Sequence, residues 1–124
     1  MNMDYSILYV ADVGDSVAFY EKILGVKPVS ASPGFAVFAM PSGNKLGLWL
    51  ASDVKPPAPA TVGGSEIGIS VDTDEKVDMT ASIWEKDGTT ITQKPVTVPF
   101  GRTFTALDPD GHRVRVYCLA ADRQ

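Results

Sequence analysis

The punctuation of this chain occurs twice at a fixed offset. Asp12 lies in a polar turn ahead of a helical pattern that stops at Gly25, and Asp74 lies in a similar turn ahead of one that stops at Gly88. The aspartates are 62 residues apart and the glycines 63, about half of a 124-residue chain. Side-chain identity between the halves is faint. A layout that recurs at one spacing nevertheless marks a duplicated supersecondary unit.

Each half reads the same way. Tyr5 to Val10 is aromatic and β-branched, a strand pattern. Ala11–Asp15 supplies helix N-cap residues, and Val17, Tyr20, Ile23 and Leu24 recur at helical spacing within Ser16–Leu24. Gly25 caps the helix because glycine enters the left-handed region without steric cost. Strands are predicted at Lys27–Ala31, Phe35–Met40 and Lys45–Ala51. The connector 53–64, with Pro56, Pro57, Pro59, Gly63 and Gly64, reads as stiff. The second half follows with a strand at Glu66–Val71, a capping turn Asp72-Thr73-Asp74, and a helix whose apolar face carries Val77, Ala81 and Trp84. Strands are then predicted at Thr90–Gln93, Arg102–Leu107 and His112–Leu119, with the turn Asp108-Pro109-Asp110-Gly111 before the last. The acidic run Asp72, Asp74, Glu75 and Asp78 suits a helix N-terminus. The expected fold is α+β: two βαβββ modules, about 1–52 and 65–124, with mostly antiparallel curved sheets around a cleft.

Charge and cysteine content remove several functions. A net charge of −4 opposes a nucleic-acid footprint and an anionic membrane surface. No apolar run approaches the roughly 20 residues of a membrane span. The start, MNMDYS, has no basic segment before an apolar one, so a cytoplasmic location is expected. Cys118 is the only cysteine, which excludes an intramolecular disulfide and a four-thiolate zinc site. It reads as a small buried hydrophobe. His112 is the only histidine; it reads as a turn or surface residue, pointing opposite to Arg113 and Arg115.

VADVGDSVAFYEKILG near the N-terminus and FTALDPDGHRVRVY near the C-terminus resemble the vicinal oxygen chelate superfamily of glyoxalases, extradiol dioxygenases and bleomycin-resistance proteins. Metal enzymes of that superfamily carry ligands, usually histidine or glutamate, on four strands. By spacing these positions fall at Tyr5, Gly47, Glu66 and Arg115. Three of the four depart from the pattern, which speaks against zinc, iron or nickel chemistry with its need for about three protein ligands. No cofactor and no catalytic residue is assigned.

GSEIGISV, PFGRTF, DPDGHRVRV and the tryptophan of LGLWL are similar to the phenazine-resistance branch of that superfamily. The resemblance implies a metal-free homodimer that sequesters a planar aromatic antibiotic on stacking side chains. Strand alternation places Ile7 and Tyr9, Lys45 and Trp49, Gly68 and Ser70, and Arg113 and Tyr117 on the faces of the four positions. Trp49 is the first ligand contact expected. Phe35 and Phe38 point to opposite faces, and the resemblance favours Phe35. Glu66 and Arg115 are expected to form an ion pair. Arg102 is expected at the rim, and Tyr117 and Tyr9 complete the set. Three rivals stand: a divergent lyase or isomerase without the usual metal, a bleomycin-type binder, and a protein-interaction subunit whose cleft is vestigial.

Overall fold

The computed structural model describes residues 3–58 and 63–120. Residues 59–62 of the proline-rich connector, Pro59 among them, lie outside the described residues. Contacts divide the chain between Gly64 and Ser65 into two compact units, here modules 1 and 2.

Module 1 runs β1 (Tyr5–Val10), α1 (Val13–Leu24), β2 (Ser30–Ala31), β3 (Phe35–Ala39) and β4 (Lys45–Leu50). Its sheet has the order β1-β4-β3-β2, antiparallel except where β1 lies parallel to β4. Module 2 repeats this with β5 (Glu66–Ser70), α2 (Asp74–Lys86), β6 (Thr90–Val98), β7 (Gly101–Leu107) and β8 (Arg113–Leu119), in the order β5-β8-β7-β6. The predicted α+β class and the βαβββ unit are both present.

Local chemistry sets the element ends. The Asp12 side chain accepts from the Asp15 N–H, so α1 begins at Val13, three residues before the expected start. Gly25 closes that helix at φ 71°. Thr73 caps α2 through the Lys76 N–H. Two strands differ from expectation by more than one residue, and each involves a proline. The predicted strand 27–31 shrinks to Ser30–Ala31, since Pro28 has no N–H to give the ladder. Conversely, β6 continues five residues beyond its predicted end, through Pro95. It is an edge strand whose register shifts between Ile91 and Gln93 and between Gln93 and Val96. A bulged edge tolerates proline where a central strand does not.

Each sheet buries one face under its own helix. In module 1 Leu8, Val10, Ala36, Phe38, Leu46 and Leu48 are buried, and Tyr20 of α1 packs 6.5 Å from the Phe38 ring. In module 2 Phe104, Ala106, Val114, Val116 and Cys118 meet Val77, Ala81 and Trp84, with Trp84 edge-on to Phe104 at 5.3 Å. Such rings and aliphatics supply roughly 1.5–3 kcal/mol each when fully buried. The period of two then dictates that the alternate residues form a second face, turned away from the helix.

His112 departs from its expected surface setting. It is buried, with Nδ1 2.8 Å from Asp108 Oδ2. Asp108 Oδ1 also accepts from the backbone N–H of Asp110 and of His112. Strand alternation sends the imidazole to the core side, and the adjacent carboxylate supplies the partner that burial requires.

Candidate functional site

The helix-free face of module 1 is aromatic. β1 and β4 pair Tyr5 with Lys45, Ile7 with Gly47 and Tyr9 with Trp49, while β3 and β4 pair Phe35 with Trp49. A row of three rings therefore crosses the sheet. Tyr9 lies 6.4 Å from Trp49 at 75°, and Phe35 lies 5.8 Å from it at 68°, both edge-to-face arrangements. All three are half-buried. Phe35, not Phe38, shares the tryptophan's face, and Phe38 is wholly buried against α1.

Gly47 sits at the centre of this face, where a side chain has no room. A Cβ there would stand 2.8 Å from Tyr5 Cε1 and 3.1 Å from Phe35 Cζ. The two rings lean over the glycine from opposite sides. The Lys45 ammonium lies 5.5 Å from the Tyr5 ring centroid and adds a cation–π contact at one end.

The helix-free face of module 2 is polar. Glu66 and Arg115 form a bidentate pair, Nε to Oε2 at 3.0 Å and NH2 to Oε1 at 3.3 Å. Arg115 NH1 also donates to Thr103 Oγ1 at 3.2 Å, and that hydroxyl donates to the Val116 carbonyl. The hydrogen bonds from Arg115 hold the Glu66 carboxyl below its usual range. Partial burial opposes this, and the charges of Arg115 and Arg113 reinforce it. Thr105 donates to Gln93 Oε1 at 3.2 Å. Tyr117 lays its ring over Gly68, where a Cβ would meet Cε1 at 3.1 Å.

The sequence-predicted residues thus fall into two sets. Trp49, Tyr9 and Phe35 come together in module 1. Glu66, Arg115 and Tyr117 share one face of module 2. Arg102 does not join them, and its expected rim position is corrected. Alternation along β7 turns it to the helix side, where it pairs with Asp78 of α2 at 2.7 Å and donates to Thr97. There it lines a groove of about 380 Å3 between α2 and β6, with Asp78, Ser82 and Lys94. Thr103, Thr105 and Gln93 were not singled out by sequence. For the two threonines the signal was their alternation with Phe104 and Ala106 in β7.

The residues at the superfamily's metal positions do not fit a divalent cation. Gly47 offers no ligand and its space is taken by rings, while both Glu66 oxygens are engaged by a guanidinium. Asp108, Asp110 and His112 do bring potential ligand atoms within 4.8 Å of one another. The contacts of Asp108 described above are those of a turn that joins β7 to β8. No described helix is long and apolar enough to cross a membrane.

Residues 2–116 match the glyoxalase/bleomycin resistance protein/dioxygenase superfamily. The phenazine antibiotic resistance protein EhpR of Enterobacter agglomerans is 34% identical over 113 residues, spanning 89% of this chain and 86% of that protein. Among solved structures, protein ATC0852 from Agrobacterium tumefaciens is 45% identical with a TM-score of 0.87, covering 97% of this chain and 98% of that one. A glyoxalase/bleomycin resistance protein/dioxygenase from Nocardioides shares the fold, with a TM-score of 0.81 at 23% identity over 96% of this chain and 83% of its own. By its sequence and its two βαβββ units, the chain belongs to the glyoxalase/bleomycin resistance protein/dioxygenase superfamily.

Proposed function

We propose that the protein binds and sequesters a planar aromatic antibiotic of the phenazine type, without a metal, and so confers resistance. The observation that carries this reading is the row Tyr9–Trp49–Phe35 on the helix-free face of module 1. Half-buried rings in a row offer a flat ligand both apolar area and edge-to-face attraction. The likeness to a phenazine antibiotic resistance protein supports the same ligand class. Protection by mass action requires protein in amounts comparable with the toxin. In this reading the working form is a cytoplasmic homodimer, which light scattering on the purified protein tests.

The lyase or isomerase reading draws less support from the described residues. Arg115 holds Glu66 as a carboxylate of lowered basicity, and His112 is buried on the core side beside Asp108. The deciding experiment is calorimetric titration of the protein with phenazine, chelator present, in wild type and Trp49→Ala. Saturable binding weakened in the variant supports sequestration at the aromatic row. Absence of binding at micromolar concentrations overturns the phenazine assignment.

A further inference from the structure

We infer that the groove between α2 and β6 is a binding site for a small zwitterion, an α-amino acid with an aliphatic side chain, its ammonium on Glu85 and its carboxylate on Lys94 and Arg102. The groove is lined by residues of module 2 alone. It uses no residue of the aromatic row, so the inference stands apart from phenazine binding.

Helical spacing aligns Asp78, Ser82 and Glu85 on the flank of α2 that borders the groove. The opposite wall comes from an irregularity of β6. Gln93 stands opposite Thr105 and Val96 opposite Thr103, so β6 takes three steps where β7 takes two. Lys94 and Pro95 therefore form a bulge, and both line the groove. A regular strand presents one side chain at such a rung. The bulge presents a cation and an apolar ring together. Ile91 and the buried Ala81 complete the apolar part of the lining.

The charges decide what fits. Asp78 and Arg102 neutralise each other at 2.7 Å. Glu85 and Lys94 line the same groove, yet they pair neither with each other nor with any other described side chain. Two opposite charges held apart across one groove are complementary to a ligand that carries both signs. Glu85 lies in the last turn of α2, where the helix dipole adds attraction for an ammonium. Arg102 gives Nε to Asp78 and NH1 to Thr97, which leaves its second terminal nitrogen to donate to a carboxylate. From Asp78 to Glu85 the helix rises about 10 Å. The groove holds about 380 Å3, near the small end of ligand pockets. An amino acid suits these dimensions, with its aliphatic side chain on Ile91 and Pro95.

The test follows the backbone amide shifts of Ser82 and Ile91 in the labelled full chain. Three probes are titrated: L-leucine, 4-methylpentanoate, which lacks the ammonium, and 3-methylbutylamine, which lacks the carboxylate. Leucine is expected to saturate these shifts. Each one-charge probe should bind about two- to fivefold more weakly, the range for a solvent-exposed charge contact. Glu85→Gln should bring leucine down to the level of 4-methylpentanoate, and Lys94→Gln to that of 3-methylbutylamine. Both side chains are exposed, and thermal denaturation confirms that the variants remain folded. Equal binding of the three probes overturns the proposal, as do variants that leave leucine binding unchanged. So do leucine shifts confined to residues outside the groove, or no saturation by about 10 mM leucine. Phenazine, titrated in parallel, reports on the aromatic row alone, so either reading can fail without the other.

Discussion

In module 1 the ladder between the parallel strands reads Tyr5 opposite Lys45, Ile7 opposite Gly47 and Tyr9 opposite Trp49. At the same rungs of module 2 stand Glu66 opposite Arg113, Gly68 opposite Arg115 and Ser70 opposite Tyr117. On the next strand, Phe35 beside Trp49 has its counterpart in Thr103 beside Tyr117. The helix-covered faces show no such divergence. Phe38 packs on Tyr20 in one module and Phe104 on Trp84 in the other, with aliphatic neighbours in both. Duplication kept the face that must pack and released the face that need not. A core position is held by volume and hydration, a constraint that a face without a helix does not carry. The two modules therefore carry different chemistry on one scaffold: rings on the first, hydrogen-bonded charges on the second.

The largest effects should fall on the shared part. Phe38→Ala and Phe104→Ala each remove a wholly buried ring and should cost about 3–5 kcal/mol, read by urea denaturation. Similar losses sharpen the equivalence of the two cores; a loss confined to one module breaks it. Next comes the aromatic face. If phenazine is the ligand of the aromatic row, as proposed, Trp49→Ala should weaken its binding about tenfold, through lost area and ring contact, while Tyr117→Ala should leave it unchanged. Equal effects would erase the contrast between the faces. Gly47→Ala should follow, because its methyl meets the Tyr5 and Phe35 rings and forces both to shift, where Gly68→Ala meets Tyr117 alone. A larger near-ultraviolet dichroism change for Gly47→Ala than for Gly68→Ala checks this.

The smallest effect is electrostatic and belongs to module 2. Arg115 lowers the Glu66 pKa in the folded protein. The pair's contribution is thus present above the unfolded value of about 4.5 and is lost as pH falls through the lower folded one. Glu66 is 41% exposed at its side chain, so solvent screening holds the contribution to about 1 kcal/mol or less. Stability measured by urea denaturation from neutral to acidic pH should fall less in Glu66→Gln than in wild type. An identical acid limb in both would show that the pair contributes nothing to folding.

Much of this was legible in the linear chain. Asp12, Thr73 and Gly25 mark helix ends through interactions spanning a turn or less, so their meaning is local. The alternation in KLGLWL put Trp49 on a face with Lys45 and Gly47 without reference to anything distant. Arg102 shows where reading by motif misled. PFGRTF suggested a rim residue, but the period of two already assigned Arg102 to the side of Phe104 and Ala106. Its partner Asp78, 24 residues away on α2, was not to be found from the motif.

By itself, then, the sequence determined the two βαβββ units, the helix caps and the alternation that divides each sheet into a packed and a free face, because each follows from interactions between near neighbours. Only the tertiary structure decided which side chains meet across strands. Arg102 reaches Asp78 across 24 positions of sequence, Arg115 also takes up the Thr103 hydroxyl, and His112 is sealed against Asp108 in the core. Register and burial are set by how whole strands pair and pack, and no local stretch of residues encodes them.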